Sequence, residues 1–448
     1  MTVLNKTEMI AKNICIATFL TVLTGCGFFT KRVESIVEKA ETKNQTATLK
    51  PIKKNLYCPT ENRIQFIVED ESTVKFYAPL FKSLLENRNY SFVQRSAMYA
   101  LIELLRRPDA VTPRSRLQFF LRYKGKDSYI DLAPKSIEDQ SLMPYLKGVE
   151  SLLKYFDTPT DMMKIADILD ANMPTSINVS SALELFLQEH KDDITRNEEL
   201  TEIYLKGDEI LTKHESFKKL SLKKIVQQYR NSKKTSDNNY SANDYPLNTY
   251  KGDANNIRLK CNFDINKETV TKKDLTEDKV KKTGHYFAIM EGSNIFIATV
   301  SSILPEKTSN LKGTYFFNNR APSYPLPFCE FKTKTQDTLL FSTQGRFPAQ
   351  HLRHLLTYDI GEADSQQSLQ EILTFSRHLF LNNPDRILYE SKRGRKSQLD
   401  FFLSMNFPIY HVPSLGDLIG ASFFTSPNEE SKSLIIDDRS SARLRCSY

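Results

Sequence analysis

The sequence predicts an α+β protein: an N-terminal helical bundle over residues 61–231, then a mixed α/β domain with an antiparallel sheet over residues 256–448. Three observations predict it. Apolar residues recur at helical spacing through the first half, and the period shifts toward two beyond residue 255. Between the two lies Asn231–Asn255, "NSKKTSDNNYSANDYPLNTYKGDAN", polar and nearly free of aliphatics, so residues 232–255 read as a linker.

The helices follow in order. Ser91-Phe-Val-Gln94 fits a capping box, after which Val93, Ala97, Ala100, Leu101 and Leu104 hold the 3.6-residue spacing until Pro108. Leu146, Val149, Leu152, Leu153 and Phe156 form another stripe. Thr158-Pro159-Thr160-Asp161 reads as an N-cap with a first-turn proline and an acidic first turn, opening a helix that carries Met162, Ile165, Ile168 and Leu169. Ser181 with Glu184 and Thr195 with Glu198 predict two more starts. No fixed-period repeat is present, so a solenoid is not indicated.

Residues 257–263, 285–290, 294–300, 314–317, 328–332 and 338–342 read as strands, with Glu291-Gly-Ser-Asn294 as a hairpin turn. Helices are expected over 348–356 and 368–381, then a strand at 386–389, a helix at 397–405, and strands at 409–412 and 433–436. Arg258-Leu-Lys-Cys-Asn-Phe263 resembles Arg443-Leu-Arg-Cys-Ser-Tyr448, and both suit half-buried strands.

The amino terminus sets the compartment. Lys6 and Lys12 precede the uncharged, mostly apolar run Ile14–Thr24, which is too short for the about 20 residues of a bilayer span. Leu23-Thr24-Gly25-Cys26 resembles the lipobox of bacterial lipoproteins. That resemblance implies a signal peptide over 1–25, cleavage before Cys26, and a diacylglyceryl group with further acyl chains such as palmitate on Cys26. Each buried methylene adds about 0.8 kcal/mol to such an anchor. Residues 26–60 then read as a lipid-anchored tether. Gly27 stands where an inner-membrane retention signal would carry Asp, which favours the outer membrane. The expected partners are the membrane and an envelope protein or anionic polymer, not nucleic acid.

The chain has 62 Lys and Arg against 54 Asp and Glu, a net charge of +8, and losing Lys6, Lys12 and Glu8 with the signal lowers this by one. Of six cysteines, Cys15 leaves with the signal and Cys26 is the lipid site. Cys58, Cys261, Cys329 and Cys446 remain; in an oxidising compartment they predict two disulfides, with three pairings open. There is no Cys-x-x-Cys, no Gly-rich nucleotide loop and no Gly-x-Ser-x-Gly elbow, and no cofactor is expected.

Four constellations bear on chemistry. Ser216-x-x-Lys219 or Ser221-x-x-Lys224, Ser236-Asp237-Asn238 and Lys282-Thr283-Gly284 reproduce in order three motifs of penicillin-binding proteins and serine β-lactamases. About a dozen residues separate the first lysine from the second motif, too few for the helical domain that intervenes in that fold. His351 and His354 share a helix face and form a candidate metal pair, though a capped or exposed helix accounts for them more simply. Asp437 and Asp438 follow the aliphatic run Leu434-Ile-Ile436, where strand-end carboxylates serve either catalysis or turns. Lys392, Arg393, Arg395 and Lys396 form the densest basic run, a candidate anionic-ligand patch or a solvated loop. The functional expectation is a non-catalytic binding or assembly lipoprotein, the alternative an envelope hydrolase or transferase acting on wall or surface polymers.

Overall fold

The computed structural model describes residues 57–58 and 64–447, except 69–70, 135–142, 156–159, 214, 234–239, 244–247, 253–256, 265–281, 304–315, 318–321, 323–324, 345–347, 358–359, 382–385, 394–395, 405–407, 426–429 and 441. The expected signal peptide, Cys26 and the expected tether up to residue 56 lie outside the described residues. Residues 53–448 form one compact unit.

In chain order, β1 (Ile64–Val68) leads to α1 (Glu71–Leu80) and α2 (Phe92–Arg106), then to the hairpin β2 (Arg116–Tyr123) and β3 (Lys126–Pro134). Five helices follow: α3 (Pro144–Tyr155), α4 (Met162–Asn172), α5 (Ser181–Glu189), α6 (Lys191–Thr195) and α7 (Glu198–Tyr204). The small ribbons β4 (Ser176–Asn178) with β7 (Ser216–Lys218), and β5 (Leu205–Lys206) with β6 (Glu209–Ile210), border them before α8 (Leu222–Lys233). Next come β8 (Tyr240–Asn243), β9 (Asn248–Gly252), β10 (Ile257–Cys261), β11 (Lys282–Glu291), β12 (Asn294–Ile303), β13 (Phe328–Lys332) and β14 (Gln336–Gln344). The chain finishes with α9 (Pro348–Thr357), α10 (Gln366–Thr374), β15 (His378–Leu381), β16 (Arg386–Tyr389), α11 (Lys396–Ser404), β17 (Ile409–His411), β18 (Asp417–Thr425), β19 (Glu430–Ile436) and β20 (Arg443–Cys446).

Two antiparallel sheets carry the fold. The first has the order β20-β1-β11-β12-β2-β3-β8 and the second β19-β18-β14-β13-β10-β9. Strand alternation decides what each face meets. On β11 and β12, Phe287, Ile289, Phe296, Ala298 and Val300 pack into one core with the helices α1–α8. Tyr286, Ala288, Met290, Ile295 and Ile297 pack into a second core with Phe328, Leu339, Phe341, Ile419 and Leu434 of the other sheet. The outer face of that sheet buries Leu340, Leu418 and Ile435 against Leu352, Leu355, Leu369 and Leu373 of α9 and α10. The layers therefore run helices, sheet, sheet, helices.

The α+β class holds. The separate N-terminal helical bundle does not describe what residues 64–134 form: β1, β2 and β3 are strands of the first sheet, paired with β11, β12 and β20. The alternation in Arg116-Leu-Gln-Phe-Phe-Leu-Arg-Tyr123 carries that signal, and neighbouring helical stripes obscure it in a long window. Nor do residues 232–255 divide the chain, since β8 and β9 lie within them and form an outer edge of each sheet. Their polar composition suits edge strands as well as it suits a linker.

Local details follow the sequence more closely. Ser91 and Gln94 make the capping box of α2. The other N-caps fall one to three residues from the expected positions, at Asp161, Ser180 and Asn197. Gly292, at φ +57°, turns the β11–β12 hairpin, and Lys124 and Gly125, at φ 52° and 75°, turn β2 into β3. The helix expected over 368–381 ends at Thr374 and gives way to β15. The strand expected over 314–317 falls largely outside the described residues.

Gly420 of β18 marks a close approach: a Cβ there would sit 2.0 Å from the Leu339 carbonyl oxygen on β14. Gly420→Ala is expected to destabilise the protein by about 1–3 kcal/mol or more, because backbone rather than a flexible side chain must move. Urea unfolding checks it, and a midpoint unchanged from the parent protein would show that the sheet yields freely.

The four cysteines pair as Cys58–Cys446, with Cα atoms 5.9 Å apart, and Cys261–Cys329, 4.2 Å apart. Cys261 and Cys329 face each other in register on β10 and β13. The two similar segments at 258–263 and 443–448 thus each supply a strand bearing a disulfide cysteine.

Candidate active site

The central strand β11 begins with the Lys282-Thr283-Gly284 motif and then carries two polar side chains in succession into opposite layers. His285 reaches the helices and Tyr286 the space between the sheets, because successive strand residues face opposite ways.

On the helix side, His285 Nε2 lies 2.7 Å from Glu103 Oε2 and Nδ1 lies 3.3 Å from the Arg107 guanidinium. A guanidinium only donates, so Nδ1 accepts and the Nε2 hydrogen goes to Glu103. The Tyr77 hydroxyl donates to the other Glu103 oxygen, and Arg106 donates to Oε2 at 3.0 Å. Arg107 also forms a bidentate pair with Asp109, at 2.9 and 2.7 Å. Burial works to raise the Glu103 pKa, but Arg106 and His285 outweigh it and bring it from its ordinary 4.5 to about 2. Burial and the Glu103 charge push the Tyr77 hydroxyl well above its ordinary range.

This has a consequence in acid. A carboxyl whose pKa is lower folded than unfolded stabilises the protein above its unfolded value and ceases to do so as pH falls through the folded one. Glu103 should therefore contribute stability at pH 5 that is lost between about 4.5 and about 2. The amount is on the order of 3 kcal/mol. Urea unfolding at pH 5 and pH 3 is expected to show a smaller difference in Glu103→Gln than in the parent protein; equal differences would remove this role.

At the same end, the Ser302 hydroxyl lies 2.6 Å from that of Ser115 and donates to the Ala110 carbonyl at 3.0 Å. Ser302 is the register partner of Thr283, and Ser301 that of Gly284. Thr299, opposite Tyr286, and Ser301 continue the odd-numbered face of β12 toward the second sheet. Both hydroxyls are buried and have no hydrogen-bond partner among the described residues. Buried orphans of this kind are rare in folded proteins.

Between the sheets, the Tyr286 hydroxyl donates to Asp417 Oδ2 at 3.2 Å and is hydrogen-bonded to the Ser440 hydroxyl. Ser440 belongs to the turn after β19 that holds Asp437, Asp438 and Arg439. The candidate carboxylates thus come within one turn of a contact with β11. Asp437 is fully buried and accepts from Arg377 and, at 3.1 Å, from Arg439. Burial alone would raise its pKa, but Arg377 and Arg439 hold it well below the carboxylate range. Arg439 also grips Glu390 and donates to the carbonyls of Leu373 and Phe375 at 2.9 and 2.7 Å. Asp438 behaves oppositely: burial and the neighbouring Asp437 charge raise its pKa against the pull of Arg393.

Of the remaining candidates, the described residues settle only His351 and Arg393. His351 is buried on α9, the His354 side chain is outside the described ones, and no group of metal-ligating residues occurs among the described residues. In the basic run, Arg393 is tied to Asp438, while the side chains of Lys392, Arg395 and Lys396 lie outside the described ones. Sequence reasoning missed Glu103, Arg107, His285, Tyr286, Asp417 and Ser440, which lie far apart in the chain. The one local signal is a histidine and tyrosine at the head of an otherwise apolar alternating strand.

No family model matches the sequence, and no curated protein matches it. Solved structures do match. Cephalosporin acylase from Bacillus halodurans superposes with a TM-score of 0.55 at 9% identity, covering 89% of this chain and 98% of its own. The fold resembles that of an acylase. A second structure, of LmbA2991HD, gives a TM-score of 0.55 at 9% identity, covering 89% of this chain and 99% of its own. At such identity the likeness is one of fold alone. It extends over nearly the whole of both neighbours, so the two sheets and their flanking helices are shared rather than a single motif.

Proposed function

We propose that this chain is an envelope hydrolase or acyl transferase that opens an amide bond with Thr283 as nucleophile, after the chain itself is cut between Lys282 and Thr283. Acyl transfer through a covalent intermediate uses a nucleophile such as a hydroxyl or thiol with a base in reach, and one solution is a threonine whose own amino group is the base. Cys58, Cys261, Cys329 and Cys446 are paired with one another, so no thiol among them is available. His285 is committed to Glu103 and Arg107. A threonine at a new amino terminus needs neither.

The observation that carries the reading is the setting of β11 in an acylase-like fold. Thr283 is the second residue of β11, one ladder step from the Gly284–Ser301 pair, while the orphaned hydroxyls of Thr299 and Ser301 and the Tyr286–Ser440–Asp417 contact lie on the face of these strands that meets the second sheet. Hydroxyls without partners suit a place where a substrate's polar atoms bind. The substrate class is an amide of wall or surface polymers, in keeping with the acylase neighbour and the lipobox. Attachment through Cys26, in the outer membrane, belongs to the same proposal and is supported by the paired cysteines expected outside the cytosol.

The test is intact mass under reducing, denaturing conditions. Two chains that meet at Lys282 and Thr283, together heavier than the processed parent by one water, support the proposal; one uncut chain refutes it. A second reading, a non-catalytic binding protein on the same scaffold, draws on the commitment of Asp437 and Glu390 to arginine partners. The uncut chain is its expected result.

A further inference from the structure

We infer that both disulfides act as staples across the proposed cut, so that the processed protein remains one covalent molecule and the half bearing Thr283 stays joined to the half bearing Cys26. This rests on the cut proposed above. Cys58 and Cys261 precede Lys282, whereas Cys329 and Cys446 follow Thr283, so each bridge links one half to the other.

The positions of the bridges suit that role. Strands β1–β3 and β8–β10 come from the first half, β11–β20 from the second. In the second sheet the halves meet at one seam, β10 against β13, and Cys261–Cys329 lies on it in direct register. In the first sheet the outermost seam is β20 against β1. There a four-residue edge strand is hydrogen-bonded in the sheet to β1, and Cys58–Cys446 bonds that strand to the segment preceding β1. The other two seams, β1–β11 and β12–β2, lie inside the sheet, where strands are hydrogen-bonded on both sides.

The chemistry is compatible. Hydrolysis of the Lys282–Thr283 peptide bond consumes one water, leaving a carboxyl on Lys282 and an amine on Thr283, and no electrons move, so the disulfides are untouched. An oxidising compartment preserves them. A lipid on Cys26 then retains the Thr283 half even when noncovalent contacts between the halves open.

The experiment takes the full chain from membranes, alkylates free thiols, denatures it, and measures mass with and without reductant. One species without reductant that becomes two with it is the expected result. Two species without reductant overturn the staple while leaving the cut standing; one species under both conditions overturns both. Variants apportion the effect: either Cys58→Ser with Cys446→Ser or Cys261→Ser with Cys329→Ser retains one bridge and one nonreduced species, and all four together give complete separation in denaturant alone. The comparison on the unaltered protein decides the matter even where a variant does not fold.

Discussion

Thr283→Ala is expected to leave the chain uncut and to lower amide hydrolysis by at least about a thousandfold, because loss of a nucleophile leaves only binding and positioning to assist the reaction. Thr283→Ser should retain cutting and part of the activity, since a primary hydroxyl supplies the same chemistry. Two readouts separate this from misfolding: the reducing mass profile, and a urea midpoint that stays near that of the parent. Full cutting in Thr283→Ala would assign the processing to another protease, and undiminished hydrolysis would remove Thr283 from the reaction.

The second large effect concerns Arg439. Its guanidinium is 1% exposed and holds Glu390 and Asp437, both fully buried. Arg439→Met keeps much of the volume but leaves two carboxylates with less counter-charge, and the Leu373 and Phe375 carbonyls lose a donor. Breaking a buried pair from one side costs about 3–5 kcal/mol. Arg393→Met makes a useful contrast: Arg393 and Asp438 are 27% and 28% exposed, so about 1 kcal/mol or less is expected. Urea midpoints rank the two. Equal small losses would mean that water reaches Glu390 and Asp437 once Arg439 is gone.

What could be read in the sequence follows a physical line. The α2 capping box, the Gly292 hairpin and the strands at 257–263 and 328–332 were legible because their causes are local: a side chain bonding its own helix start, a positive φ, a period of two. Two disulfides were expected from an even count of cysteines, but which pairs form depended on segments 68 and 388 residues apart meeting. The joining of β1, β2 and β3 to β11, β12 and β20 was not legible, since antiparallel pairing at long range leaves no mark on either segment alone. The site was hidden for the same reason. His285, Glu103 and Arg107 meet across about 180 residues. Asp437 stood out by its strand end, whereas Arg377 and Arg439, which set its charge, did not.

The order β20-β1-β11 also sets a timetable for synthesis. A chain that emerges N-terminus first, from a ribosome or across a membrane, delivers β1 long before either neighbour exists, and the later of its two partners is β20 at Arg443–Cys446. Until then the apolar strand Ile64-Gln-Phe-Ile-Val68 is an open edge able to pair with another chain. Loop closure over such a separation is slow. The newborn chain therefore holds this strand unpaired until β11 and β20 have emerged, and loss of β20 would leave one edge of β1 open with β11 on the other.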